Sequence, residues 1–255
     1  IYKRCLKFAS ALEKIGIKKG DTVSFLAFNT PEIFEAHYSV PMTGAVLNTI
    51  NIRLDAKTIA YILNHSDAKV LVVDRQLHLE VSKALEILKK KIIIIDIDDK
   101  HADQSKTKKI GDLEYEKFLN TGDENYIWKI PEDEWQAISL SYTSGTTGNP
   151  KGVVYTHRSN VLHAMTSATP DMLNLSSRDR VMPVVPLFHA NGWSIGYTAP
   201  LVGASMVMPG KEMSPEALFE MLEKGVTVTA AVPTIWLLLL NYLKANNLKL
   251  STLER

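Results

Sequence analysis

The sequence predicts an α/β fold with mostly parallel sheets flanked by helices in layers, and three observations carry that expectation. Two continuous aliphatic runs, Val70-Leu-Val-Val73 and Ile92-Ile-Ile-Ile95, have the pattern of strands buried on both faces. Apolar stripes at helical spacing stand between such runs. Turn and capping residues separate the two kinds of segment.

Taken in order, Cys5, Phe8, Ala9, Leu12 and Ile15 recur at helical spacing, and Gly16 and Gly20 close that segment in a turn. A short run rich in β formers, Thr22–Phe28, leads into Asn29-Thr30-Pro31. Thr30 as N-cap and Pro31 at the first helical position start a helix carrying Ile33, Phe34, His37 and Tyr38. Asp55 caps a helix bearing Ile59, Ile62 and Leu63, and Lys69–Asp74 is the next strand. Val81, Ala84, Leu85 and Leu88 stripe another helix, and Lys91–Asp96 forms the strand after it. The patch from Asp98 to Lys109 alternates in sign, as a solvated loop does. Further on, Ser214 and Pro215 start a helix with Leu218, Met221 and Leu222 on one face, and Gly225 stands at its C′ position. The strand Val226–Val232 follows, and then Pro233 opens a helix that is apolar almost all round over Ile235–Leu240. Such a helix is either buried or has its partner outside these residues. In sheets of this kind, ligands sit at the carboxyl ends of the strands.

The 255 residues hold 29 Lys+Arg against 28 Asp+Glu, 45% hydrophobic residues and one cysteine. That composition excludes disorder, collagen and a disulfide scaffold, and it supplies the core of one large domain or two smaller ones. A net charge of +1 provides no field to hold nucleic acid or an acidic membrane, so phosphate binding has to come from a local device. Cys5 has no partner for an internal disulfide, which fits a reducing compartment, and a cytoplasmic setting is the expectation. The first residue is Ile1 and no signal-peptide pattern follows, which fits either a processed chain or a piece of a longer one. The longest purely apolar runs, Ile92–Ile95 and Ile235–Leu240, fall far short of the ~20 residues that span a bilayer.

One segment carries chemistry. Ile138–Tyr142 reads as a strand; Thr143-Ser144-Gly145-Thr146-Thr147-Gly148 is a run of small or hydroxylated residues; Pro150, Lys151 and Gly152 lead into a second strand-like run. Glycines let backbone N–H groups approach an anion, hydroxyls donate to phosphate oxygens, and Lys151 adds a point charge. The plainer alternative is a Thr/Gly-rich turn. The common nucleotide loop is excluded on spacing, because it needs glycine at 150 and Ser or Thr at 152, where the chain has Pro150 and Gly152.

From Tyr142 to Gly152 every position resembles the phosphate-binding signature of the adenylate-forming enzymes: acyl-CoA synthetases, aryl-CoA ligases, peptide-synthetase adenylation domains and firefly-type luciferases. Val40–Leu54, Asp133–Leu140, Val184–Trp193 and Val232–Trp236 look like segments of medium- and long-chain fatty-acyl-CoA synthetases and plant acyl-activating enzymes, so the resemblance covers essentially the whole chain. It implies the large N-terminal domain of that fold, incomplete in this chain. A first α/β subdomain would run over about 21–175 and the start of a second over about 176–255. It also implies a two-step reaction, in which a carboxylate attacks the α-phosphate of ATP to give acyl-AMP and pyrophosphate, and the thiol of coenzyme A then displaces AMP. The expected partners are a small carboxylate, ATP, Mg²⁺ and coenzyme A, with no nucleic acid and no transmembrane segment; a homodimer is open for the intact protein.

Carried over by residue, the resemblance assigns Thr143, Ser144, Gly145, Thr146, Thr147, Gly148 and Lys151 to the β- and γ-phosphates, with the Thr143 hydroxyl as a Mg²⁺ ligand. Lys151 and His189 are the catalytic candidates. A lone histidine at a strand end is often a satisfied structural residue, whereas the family's Pro-x-Phe-His segment puts His189 near the α-phosphate and acyl carboxylate; Phe188 is read as packing. Tryptophan is commonly core, but in relatives with this His-x-Asn-x-Trp pattern it gates the acyl tunnel, which makes Trp193 a candidate, with Gly192 giving its ring room. Ala230 and Ala231 are candidates for the acyl pocket. Relatives commonly have glycine at 231, and the extra methyl trims the pocket by ~1 kcal/mol of chain-length discrimination. His157 and Arg158 follow Thr156, an N-cap candidate, and are read as first-turn surface residues. His65 and His163 have no partners at ligand spacing.

The family's Tyr-Gly-x-Thr-Glu motif, its ribose-binding aspartate, its hinge and its C-terminal lid domain with the adenylation lysine do not occur in residues 1–255. The fragment is therefore expected to bind nucleotide poorly and to turn over nothing alone. The alternatives are a CoA ligase for a short, methylthio or aromatic carboxylate, and an adenylate-former or binding module with a non-CoA acceptor.

Overall fold

In the computed structural model, which describes residues 1–143 and 148–255, the chain alternates helix and strand from the start. The order is α1 (Tyr2–Lys14), β1 (Thr22–Leu26), α2 (Pro31–Met42), β2 (Val46–Thr49), α3 (Ala56–His65), β3 (Ala68–Asp74), α4 (His78–Ile87), β4 (Ile93–Ile97), β5 (Leu113–Glu114), α5 (Tyr115–Leu119), β6 (Ala137–Thr143) and β7 (Lys151–Thr156). Then come α6 (His157–Ser167), β8 (Arg180–Pro183), α7 (Ala190–Trp193), α8 (Ile195–Val202), β9 (Ser205–Met206), α9 (Pro215–Leu222), β10 (Val228–Ala230) and α10 (Pro233–Ala245). The chain divides into two compact units: Ile1–Ala27 with Glu32–Ser159, and Phe28–Pro31 with Asn160–Arg255.

The first unit is built on a seven-stranded sheet in the order β5-β4-β3-β1-β2-β6-β7. All its ladders are parallel except β6 with β7. β1 is buried at all five positions, as a strand covered on both faces must be. On one face, Leu26, Leu71 and Val73 pack with Ile59, Ile62 and Leu63 of α3 and Val81 and Ala84 of α4. On the other, Phe25 meets Phe8 of α1, which stacks on Tyr115 at 4.8 Å and meets Phe118 edge-on at 5.5 Å. Beside these rings the buried Glu35 carboxylate accepts from Arg4 Nε at 2.5 Å and from the Tyr115 hydroxyl at 3.0 Å. Burial pushes the Glu35 carboxyl up while Arg4 pulls it down, and burial pushes the neighbouring Cys5 thiol up to about 12, which leaves it unreactive.

The second unit has a three-stranded parallel sheet, β10-β8-β9. Met182 and Val184 pack on α9 and α10 through Leu218, Leu222 and Leu239. Val181 and Val185 face Ile195 and Ala199 of α8.

Most elements lie where their local signals put them. Asp55 accepts from the N–H groups of Lys57 and Thr58, Ser214 from that of Ala217, and Thr156 from that of Ser159. Some details differ or are narrowed. The strand expected over Thr22–Phe28 stops at Leu26, because Phe28–Pro31 turns away into the second unit. Thr30 precedes α2 as expected, yet its buried hydroxyl makes no hydrogen bond, so it caps by position only. The strand expected over Val226–Val232 shortens to Val228–Ala230, because Val226 N still bonds Leu222 O in the last turn of α9. In α10 only Leu239 is buried, while Leu237, Leu238 and Leu240 are 60%, 55% and 45% exposed. The units divide at Ser159/Asn160, and α1 belongs to the first; α6 enters the second unit through Ala164, whose carbonyl accepts from Thr198 Oγ1 at 3.5 Å.

Candidate functional site

The segment singled out for phosphate chemistry takes in the end of β6, the start of β7 and the residues that join them. Alternation along β6 puts Leu140 and Tyr142 on one face and Ser139, Ser141 and Thr143 on the other. The antiparallel register then pairs Tyr142 with Gly152 and Thr143 with Lys151. A Cβ at Gly152 would stand 3.0 Å from Leu140 Cδ1, a tight approach, and 3.5 Å from Tyr142 Cζ, an ordinary contact. Thr143 and Lys151 thus face each other across the mouth of the turn, both exposed. Lys151 has no salt-bridge partner among the described residues. At Gly148 an added Cβ would meet nothing within 4 Å. Ser144, Gly145, Thr146 and Thr147 lie outside the described residues.

A hydroxyl and an unpaired ammonium across a strand mouth are the donor types that hold phosphate oxygens. For Mg²⁺ the donor set is thin. Thr143 offers one exposed oxygen, and no group of three or more His, Cys, Asp or Glu that could hold a metal occurs among the described residues. That suits an ion shared with a nucleotide, whose phosphates and water fill most of the shell, rather than an all-protein cage.

His157 and Arg158 begin α6. Thr156 Oγ1 accepts from Ser159 N at 3.1 Å, and Ser159 Oγ accepts from Thr156 N at 3.0 Å, a reciprocal cap. Arg158 pairs with Glu134 and lies 5.6 Å over the Trp135 ring, so its charge is engaged away from the turn. Burial holds the His157 imidazole below its ordinary value. On the other face of the hairpin, the Tyr142 hydroxyl lies 2.7 Å from His65 Nδ1, a contact between residues 77 apart that no spacing in the sequence announced. A cavity of about 670 Å³ in this unit, lined among others by Ile17, Met42, Ile127, Ile130 and His157, includes none of the phosphate-loop residues.

The remaining candidates lie in the second unit, after the carboxyl ends of two neighbouring parallel strands. β8 ends at Pro183, and the N–H groups of Val184 and Val185 both donate to Ala230 O, at 3.0 and 2.9 Å. The segment then runs through buried Leu187 and Phe188 to His189. His189 is exposed, and its imidazole makes no hydrogen bond among the described residues, which is unlike a structural core histidine. Asn29 holds this segment from beneath: its Nδ2 donates to Pro183 O at 2.8 Å and Val185 O at 2.9 Å, and its Oδ1 accepts from Leu187 N at 2.8 Å. Sequence reasoning read Asn29 only as part of a helix start; its long-range role had no local signal.

After His189 the backbone makes three consecutive left-handed residues, Gly192 at φ +60°, Trp193 at +56° and Ser194 at +67°. Gly192 suits its φ, and a Cβ there would come within 2.7 Å of Leu187 Cδ2, which would have to shift. A tryptophan in this region is strained, and Trp193 is 43% exposed rather than core. Ala230 is half-buried and Ala231 buried, one strand end away in the same sheet.

The AMP-binding enzyme family profile matches residues 1–255. The chain is 43% identical over 256 residues to a long-chain-fatty-acid–CoA ligase of Thermus thermophilus, covering 100% of this chain and 45% of that protein. It is 41% identical over 257 residues to a medium-chain-fatty-acid–CoA ligase of Ectopseudomonas oleovorans, covering 99% of the chain and 46% of that protein. Its fold is similar to that of a solved anthranilate CoA ligase in complex with anthranoyl-AMP, with a TM-score of 0.82, 22% identity, and 99% and 48% of the two chains covered. The chain spans about half the length of the curated relatives it matches.

Proposed function

Because the chain belongs to the AMP-binding enzyme family, we propose that the protein activates a carboxylic acid with ATP, and that the acid is a medium- or long-chain fatty acid delivered to coenzyme A. The observation that carries this reading is the pairing of Thr143 with Lys151 across the β6–β7 ladder, at the two ends of the segment 144–150. Lys151 and the hydroxyls and N–H groups of the turn bind the β- and γ-phosphates and hold the pyrophosphate as a leaving group. The Thr143 oxygen would hold Mg²⁺ together with the nucleotide, and the ion would supply charge neutralisation on the phosphate oxygens. The substrate carboxylate attacks the α-phosphorus, the bond to pyrophosphate breaks, and acyl-AMP results. The thiol sulfur of coenzyme A then attacks the acyl carbon, AMP leaves, and a thioester remains.

His189 contacts the α-phosphate and acyl carboxylate in this reading, supported by its exposed imidazole. Trp193, with its strained backbone, gates the acyl tunnel, and Ala230 and Ala231 line that tunnel. The fatty-acid class is supported by the two ligases at 41% and 43% identity.

The test is ATP–pyrophosphate exchange by the intact protein over acids of increasing chain length, with and without coenzyme A. Exchange is expected with C8 to C16 acids, acyl-CoA formation only when coenzyme A is present, and a loss on the order of a hundredfold in Lys151→Ala. Trp193→Ala is expected to shift the chain-length profile. Exchange best supported by aromatic or methylthio acids replaces the substrate class, and an unchanged rate in Lys151→Ala removes the role of the loop.

A further inference from the structure

We infer that His65 is a positioning residue for the phosphate loop, acting through Tyr142; the inference rests on reading 143–151 as a phosphate site. β2 pairs with β6 only as far as Thr49 with Ser141. Beyond that point, among the described residues, the last two residues of β6, Tyr142 and Thr143, pair through their backbone with β7. β7 is the edge strand of the sheet, so the partner that holds them is itself held from one side only. A side chain gives the end of β6 a further attachment to the rest of the unit.

Tyr142 provides that attachment. Its ring packs against the apolar cluster built on α3 and α4, and its hydroxyl lies 2.7 Å from His65 Nδ1 on the last turn of α3. The two rings meet edge-on at 5.8 Å, and Tyr61, one turn earlier on α3, stacks on His65 at 5.3 Å and 25°. His65 is thus fixed from behind by Tyr61, and α3 is fixed by buried Ile59, Ile62 and Leu63. Gly152 lies across the ladder from Tyr142, and a Cβ there would press only on the Leu140 Cδ1 methyl, at 3.0 Å. Thr143 is the next residue along, and Lys151 faces it, so a shift of the Tyr142 ring moves both ends of the turn. Displacements near 1 Å at such a position are enough to cost rate or affinity.

The experiment measures ATP–pyrophosphate exchange by the intact protein, varying ATP at saturating acid and acid at saturating ATP, for His65→Ala, His65→Gln, Tyr142→Phe and the double variant His65→Ala with Tyr142→Phe. His65→Ala and Tyr142→Phe are each expected to raise KM for ATP roughly three- to tenfold, the reach of one hydrogen bond, and to leave KM for the acid unchanged. The double variant is expected to be no worse than either single one, because both remove the same contact. His65→Gln is expected to restore part of the loss. Tyr142→Phe keeps the ring and removes one oxygen, so it answers the question even if His65→Ala folds poorly. An unchanged KM for ATP in both single variants overturns the inference, as does a parallel loss for ATP and acid, which is what a general structural defect produces. Lys151→Ala separates the two levels: if it is impaired while His65→Ala is not, only the positioning role fails, and if it is unimpaired the phosphate reading fails with it.

Discussion

Asp74 ends β3 with no exposed surface, and its carboxylate accepts from the Gln76 N–H at 2.8 Å and from Gln76 Nε2 at 3.4 Å. Burial, aided by the charges of Asp99 and Glu32, pushes its carboxyl up to about 6. Folding then favours the protonated form, so this group's contribution is full below the unfolded value near 4 and is lost as pH rises through about 6. Asp74→Asn keeps the shape and an acceptor for Gln76. It is expected to raise stability at pH 7 by about 2–3 kcal/mol and by little at pH 4, read from urea midpoints at the two pH values. An equal effect at both would contradict the titration. Buried Asp96, one strand over, differs by its partners: Arg75 Nε at 3.2 Å and the N–H groups of Ile110 and Gly111, both at 3.0 Å. Nothing in the sequence separates these two aspartates, each at the end of an aliphatic run; only the fold sets which groups each one meets. The phosphate-binding assignment of Thr143 and Lys151 comes from the resemblance of the 142–152 segment to a known signature, and the structure adds that the two residues are paired across the β6–β7 ladder.

Among the elements, local signals served well where the partner is a few residues away. The caps of Asp55, Thr156 and Ser214 each bond an N–H within three residues, a distance at which sequence reasoning is reliable. The turn Phe28–Pro31 shows the opposite case. Its local pattern announces a helix start, and the helix does start there, but the buried Asn29 side chain spends its bonds on Pro183, Val185 and Leu187, more than 150 residues on. Replacing Asn29 by Ala leaves two carbonyls and one N–H buried without these partners. The expected cost is about 3 kcal/mol in denaturant unfolding, and a change within about 0.5 kcal/mol would mean that other groups or water satisfy the segment. The same turn explains why β1 stops at Leu26 and why His189 follows a backbone held at three points.

At the scale of the molecule, two sheets each covered on both faces account for most of the buried aliphatic residues. The outer face of α10 is the exception, with Leu237, Leu238 and Leu240 exposed. An apolar face of this kind promotes self-association. Changing all three residues to Gln in the 255-residue chain is expected to reduce its sedimentation-detected oligomers and dye binding while altering stability by less than about 1 kcal/mol; unchanged association would place the sticky surface elsewhere. No helix among the described residues is long and apolar enough to cross a membrane.

The sequence by itself determined the α/β class and the positions of most helices and strands. These rest on interactions within a few residues and on periodicity, which a linear chain displays directly. Only the tertiary structure decided that His65 meets Tyr142, that Asn29 anchors the segment before His189, that Trp193 stands in a left-handed turn partly open to solvent, and that one buried aspartate lacks the cation its neighbour has. Each of these depends on which strands lie side by side and on what each side chain gains or loses on leaving water, and strand order is set by the summed packing of the sheet rather than by any local run of residues.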